Sequence, residues 1–180
     1  MTPVPDMESL ELALAAEPAN AELHYLFGAE LAQQNEYRRA AIEFGTAIHL
    51  APHLHTARFQ LGLLQLTMTE AQAAIATWEP LGVLAADSPL RLFKEGLVEL
   101  IHDRFEPCLE RLSHGIKKNQ SNPALNADMQ IIIDRVRRLM VDASASTPTA
   151  TVVSTSAPPR AAPSLHTDFS KYGNDGGSTH

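Results

Sequence analysis

Residues 21–54 read AELHYLFGAELAQQNEYRRAAIEFGTAIHLAPHL, and the stretch that follows, HTARFQLGLLQLTMTEAQAAIATWEPLGVLAADS over residues 55–88, keeps the same beat. Residues 89–122 keep it a third time. Gly28, Gly62 and Gly96 stand 34 residues apart, and so do the aromatics Tyr25, Phe59 and Phe93. The small residues Ala40, Ala74 and Cys108 share the period, as do the bulky apolar residues Phe44, Trp78 and Leu112. A repeat of that length, filled with apolar residues at helical spacing, describes stacked helix pairs that bury their faces only against their neighbours. The expected fold class is all-α, an open helix-turn-helix solenoid.

Within the first unit, Leu23, Phe27 and Leu31 mark one face of a helix over residues 21–34. A turn at Asn35-Glu36 leads to a second helix over residues 37–50, which carries Ala40, Phe44, Ala47 and Ile48. Pro52 ends it, because proline cannot continue the amide ladder. The three units are read as 21–54, 55–88 and 89–122, behind an N-terminal segment, 1–20, that holds a leading helix with Met7, Leu10 and Leu14. A capping helix over residues 123–141 repeats Leu125, Met129, Ile132 or Ile133, Val136 and Met140 every three or four positions. Its Asp128, Asp134, Arg135, Arg137 and Arg138 are expected to form the polar outer side that the end of a solenoid requires. Pro80, inside the second helix of the second unit, should kink or shorten it.

Residues 142–180 change character. Ala, Ser, Thr and Pro dominate through Ser164, with too little apolar bulk to offset the entropy of ordering, so a flexible, disordered tail is expected. Phe169 and Tyr172, near the end of that tether, form a candidate docking motif, and one arrangement has them fold back into the chain's own groove.

Composition excludes several functions. At 180 residues and 44% apolar, the chain can bury one helical core with length to spare. The single cysteine, Cys108, forms no internal disulfide, which points to a reducing compartment, and its small slot makes it an inert packing residue. The opening MTPVPD lacks the basic stretch and apolar run of a secretory signal, and no apolar run nears the ~18–20 residues that span a bilayer. A cytoplasmic location away from the membrane is the expectation. Of the net charge of −7, residues 1–87 hold 11 acidic and 3 basic side chains, against 7 and 9 in residues 88–141. An acidic half argues against nucleic acid, which needs a basic stripe, and the short cluster Arg135, Arg137 and Arg138 reads as a solvated helix face. His49, His53 and His55 surround Pro52, which breaks the alignment a metal site needs, and no cysteine or carboxylate lies beside them in sequence. No phosphate loop, nucleophile elbow or paired metal-ligand motif appears, and Glu95, Glu99, Asp103 and Glu106 are spaced as solvated helix charges. No catalytic residue, metal or cofactor is therefore expected.

The first unit resembles the tetratricopeptide repeat (TPR) family. Phe27-Gly28, Leu31, Tyr37, Ala40, Phe44, Ala47, Leu50 and Pro52 fall on that family's consensus slots, with His24 in place of the usual tryptophan. The second unit keeps Leu61-Gly62, Ala74 and Trp78, and the third keeps Gly96, Phe105 and Cys108. Glu95 departs from the pattern by standing where the family buries a leucine. A buried, unpaired carboxylate is costly, so a slight rotation of that helix is expected. The resemblance covers residues 7–141, about three repeats plus a capping helix, and implies a right-handed solenoid whose first helices line a concave groove.

The family's ligand-facing slots correspond here to Tyr25, Ala29, Ala32 and Gln33, then Phe59, Leu63, Leu66 and Thr67, then Phe93, Leu97, Leu100 and Ile101. Some members clamp a terminal carboxylate with lysines and asparagines at these slots, and this chain has neither there. Tyr25, Phe59, Leu63, Leu66, Phe93, Leu97 and Leu100 are thus the expected partner-binding groove, suited to an extended apolar peptide or an amphipathic helix. The implied function is non-catalytic protein–protein interaction, as an adaptor or chaperone-like scaffold. Two alternatives are a chaperone for a bacterial secretion-system translocator and a self-assembling structural module. In the second, a homo-oligomer forms as the acidic N-terminal half of one copy stacks on the more basic C-terminal half of another.

Overall fold

The computed structural model describes residues 7–145, with side chains through residue 143. Residues 1–6 and the tail from residue 146, with Phe169 and Tyr172, lie outside the described residues. Among the described residues eight α-helices follow one another: α1 (Met7–Ala16), α2 (Ala21–Gln33), α3 (Tyr37–Leu50), α4 (His55–Thr67), α5 (Ala71–Trp78), α6 (Pro89–Ile101), α7 (Phe105–Lys118) and α8 (Pro123–Ala145). A 3-10 segment, Glu79–Val83, continues α5, and no strand occurs among the described residues.

Local chemistry sets the helix ends. The side-chain oxygen of Asn20 accepts from the amides of Glu22 and Leu23, at 3.1 and 3.3 Å, satisfying two of the donors that α2 leaves open at its start. Pro89 and Pro123 open α6 and α8, where a missing N–H costs nothing. Each first helix is broken from its partner by one left-handed residue, and these recur with the repeat: Asn35 at φ 61°, Thr69 at 65° and Asp103 at 57°. Asn and Asp tolerate that conformation, whereas Thr69, branched at Cβ, is strained by it.

The helices pair as α2 with α3, α4 with α5 and α6 with α7. Packing of α3 on α4 joins the first two pairs, α4, α5 and the 3-10 segment against α6 join the second to the third, α8 packs on α7, and α1 lies on α2. What sets the spacing within a pair is a glycine on the first helix facing a bulky side chain on the second. A Cβ added at Gly28 would come within 2.9 Å of Phe44 Cδ1, and one at Gly96 within 2.7 Å of Leu112 Cδ2. At Gly62 it would overlap the Trp78 ring. Phe44, Trp78 and Leu112 are fully buried as a result. Trp78 also donates its indole N–H to the Phe59 carbonyl at 3.0 Å, so the largest side chain of the core is fixed in orientation.

Pro80 shortens the second helix of the middle pair: α5 has 8 residues, against 14 in α3 and in α7. The 3-10 segment takes over and drives Leu81 into the core between α4 and α6. Its loose carbonyls are gathered by Arg91, whose Nη1 donates to Gly82 O at 3.0 Å and Leu84 O at 2.8 Å. Arg91 in turn donates to Glu95 at 2.9 Å, and Arg111 lies 3.2 Å from the other oxygen of that carboxylate. Glu95 is thus partly exposed and doubly paired. The expected rotation of its helix is corrected: Gly96 meets Leu112 in the register in which Gly28 meets Phe44.

A second correction concerns α8. Asp128 was expected on its polar outer side, yet only 2% of it is exposed, while Asp134, Arg135, Arg137 and Arg138 do face outward, with Ile131 among them. An asparagine knot fixes the joint with α7. Asn119 donates to Asn122 O at 2.8 Å and to Asn126 Oδ1 at 2.9 Å, and Asn126 donates back to Asn119 O at 2.8 Å.

Three stability outcomes follow, each read by urea denaturation with circular dichroism. Gly96→Ala is expected to lower the unfolding free energy by about 1–2 kcal/mol through overpacking. Gly45→Ala, whose new Cβ meets nothing within 4 Å, should raise it by about 0.5–1 kcal/mol. Thr69→Asn, which suits the left-handed turn, should add about 1 kcal/mol, a Tm rise of roughly 2–4 °C.

Candidate functional site

The slots expected to face a ligand come from α2, α4 and α6, and the structure divides them. Phe59, Phe93 and Leu97 have 0% of their surface exposed, Leu63 1%, Leu100 6% and Leu66 8%. These six residues are core, not open groove, and their assignment as partner contacts is corrected. The reason is reach. Side chains of this size extend beyond their own pair: the Phe59 ring lies 6.3 Å from that of Phe93 and stacks at 5.8 Å on Trp78. Phe93 is admitted by Gly115 of α7, where an added Cβ would overlap its ring. Ala29 and Ala32 are buried as well.

Half-open side chains flank this buried line. Tyr25, 5.9 Å from the Phe44 ring, and Gln33 lie on α2, Thr56 and Thr67 on α4, and Leu90 and Ile101 on α6. Thr56, Leu63 and Thr67 share one helical stripe, as do Leu90, Leu97 and Ile101, so the open residues border the buried leucines on the same face. The candidate surface is therefore a mixed apolar and hydroxyl-bearing strip over an aromatic spine. Tyr25 is the one residue of the expected groove that retains an intermediate exposure.

The groups with chemical potential are engaged elsewhere. Burial, with the nearby Glu99 charge adding to it, pushes the Cys108 thiol up to about 12, so it stays protonated and inert at neutral pH. Among the described residues no group of three or more His, Cys, Asp or Glu side chains is placed to hold a metal ion. An open recess of about 550 Å³ lies at the turns of the first two pairs, lined by Asn35, Tyr37, Arg38, Met68 and Glu70 together with Arg39, whose guanidinium is held 2.6 Å from Glu36.

Two features escaped the periodic reading. Gln60 of α4 is 1% exposed, and neither of its amide atoms has a hydrogen-bond partner among the described residues. Such a group costs about 1–3 kcal/mol. His24, in the slot where the repeat prefers tryptophan, has Nδ1 2.6 Å from a Glu43 oxygen and Nε2 3.0 Å from the Pro18 carbonyl. With acceptors on both sides, the ring is favoured as the doubly protonated imidazolium. Burial lowers its pKa, but the bonds to Glu43 and Pro18 and the Glu43 charge together outweigh that and hold it above the ordinary 6.5. The only sequence signal was the histidine's departure from the repeat.

Helix pairs joined by a glycine slot, with α4 and α6 in contact through Phe59 and Phe93, form an all-α solenoid of the TPR type. Among solved structures it is similar to MamA: the structure titled MamA 41-end from Desulfovibrio magneticus RS-1 aligns with a TM-score of 0.52 at 16% identity, over 78% of this chain and 86% of that one. The MamA RS-1 ArsTM double mutant aligns equally, with a TM-score of 0.52 and 16% identity over 78% of this chain and 85% of its own. At this identity the likeness shows the fold alone. No family model and no curated protein matches the chain. No helix among the described residues is long and apolar enough to cross a membrane.

Folding raises the His24 pKa, so the folded protein holds that proton more tightly than the unfolded chain. The resulting stabilisation is complete below the unfolded value of 6.5 and is lost as pH rises through the folded value. Thermal melts across this window should show stability declining with pH in the wild type, and His24→Gln should flatten that part of the profile. An unchanged slope in the variant would assign it to other groups.

Proposed function

We propose that this chain is a non-catalytic protein-interaction scaffold, holding an apolar or amphipathic segment of a partner along the inner face of its first helices. The observation that carries this reading is the strip formed by Tyr25, Leu90 and Ile101, half-exposed apolar side chains with Gln33, Thr56 and Thr67 between them. Such a strip suits the apolar face of a helix, with hydroxyl and amide groups ready for its polar edge. The spine beneath supports the same reading. Phe59 and Phe93 hold neighbouring first helices in fixed relation, so little order has to be gained on binding. The pairing of His24 and the burial of Cys108 favour a role without chemistry.

The test uses the full chain as bait, in parallel with Tyr25→Lys/Ile101→Lys and with Val83→Lys, a control at a position 81% exposed outside the strip. Circular dichroism verifies that all three baits are equally helical. Proteins retained by wild type and control should fall at least about tenfold with the double variant, the loss expected when anchors of a binding strip are replaced. Equal retention by all three would overturn the inner face as the binding site.

A further inference from the structure

Of the eight helices described, α1 is the most thinly held. Leu10 is its buried residue, Met7, Ala13 and Leu14 are half-buried, and α2 is the helix it lies on. The link between the two, Glu17, Pro18 and Ala19, is exposed. Helices with so little cover open locally while the rest of a fold stays closed. His24 of α2 reaches back over the link. Its Nε2 lies 3.0 Å from the Pro18 carbonyl, and its Nδ1 lies 2.6 Å from a Glu43 oxygen on α3. One ring therefore ties the α1 link to both helices of the first pair.

A carboxylate and a carbonyl both accept, so the two bonds together require the imidazolium; the neutral ring has a single N–H for two acceptors. That proton stays on Nδ1. A bare ring nitrogen is repelled more by the Glu43 carboxylate than by an uncharged carbonyl, so the bond surrendered is the one to Pro18. Of the charged groups around the ring, Glu43 acts on it directly. Arg39 of α3, paired with Glu36, acts on Glu43 and on Glu11 of α1 from further off. Glu17 of the link accepts from Asn20 Nδ2 at 2.8 Å, and Glu22 of α2 is exposed.

We propose that α1 is a strap latched by the His24 imidazolium and released when the ring loses its proton. Release bares the face of α2 beneath α1 and leaves the three helix pairs stacked. The bonds that form the latch also hold the proton to a pH above the ordinary 6.5. The strap is therefore closed in mild acid and opens as pH rises through the folded value. The stability lost with that proton is lost at one joint, the tie between α1 and the first pair. Tyr25 and the rest of the inner strip take no part in the latch, so this inference and the partner-binding reading fail separately.

Native-state hydrogen exchange of the full chain tests it, read by mass spectrometry on the α1 segment between about pH 5.5 and about pH 8.5 in low urea. Protection, corrected for the intrinsic pH dependence of exchange, should fall about three- to tenfold across the His24 transition, the loss of one ordinary hydrogen bond. It should respond to urea far less than the protection of α7 does, because a local opening exposes little surface. His24→Ala, with no donor, should hold α1 at the low value at every pH. Glu43→Gln should hold it at the high value, because its amide can donate to Nδ1 and leave the ring proton on Nε2 for Pro18. Circular dichroism checks that both variants fold. Wild-type α1 protection that is flat with pH would overturn the inference. So would α1 exchange that rises with urea as steeply as that of α7, or a pH step that survives in either variant.

Discussion

Glycine against a bulky side chain is the constraint on which the rest of this structure depends. Where Gly62 meets Trp78, any Cβ would occupy space the indole already fills. The helices of the pair can therefore approach only because one side chain is missing. The gap is filled from the other side, and the fit has to recur at the same spacing if successive pairs are to stack without voids. From Trp78 the contact continues by hydrogen bond and stacking to Phe59, across to Phe93, and from Phe93 into the notch left by Gly115. One connected set of contacts thus ties the middle pair to the third.

Two departures from the repeat turn out to be physically linked. Pro80 truncates α5 and leaves carbonyls at Gly82 and Leu84 that a regular second helix would have satisfied internally. Arg91 covers them and is itself steadied by Glu95, the residue that displaced a leucine from the third unit. Arg111 completes the cluster from α7. A carboxylate that looks misplaced within its own unit is explained by a proline in the unit before it. Exposed ion pairs contribute little singly, but here the guanidinium also binds two backbone oxygens, and that geometry is what holds the irregular segment in place.

The architecture was legible because close packing writes itself into sequence as spacing: Gly28, Gly62 and Gly96 could be read directly, with their partners Phe44, Trp78 and Leu112. The surface was not legible in the same way. A slot tells which side of a helix a residue occupies, but not whether the next helix covers it. Phe59, Leu63, Phe93 and Leu97 are large enough to reach that helix and vanish into the core, while Ala29 and Ala32 are buried despite being small. Unit-specific contacts leave no periodic trace at all. Gly115 beside Phe93, the Asn119 and Asn126 knot, and the His24 bridge to Glu43 each occur once. Asp128 was misplaced because the expected outer side was judged from polarity, whereas Leu125, Met129 and Ile132 turn its part of α8 inward.

Rigidity is what connects this packing to the proposed interaction role. A spine locked by Trp78 and Phe93 presents the half-open strip of Tyr25, Leu90 and Ile101 in one geometry. Everything rests on the glycine-to-ring fit, which a double-mutant cycle on Gly62→Ala and Trp78→Leu probes most directly by equilibrium unfolding. If the fit sets the pair, Gly62→Ala will cost substantially less once the indole is gone, with a coupling of about 1–3 kcal/mol. Costs that add to within about 0.5 kcal/mol would contradict it.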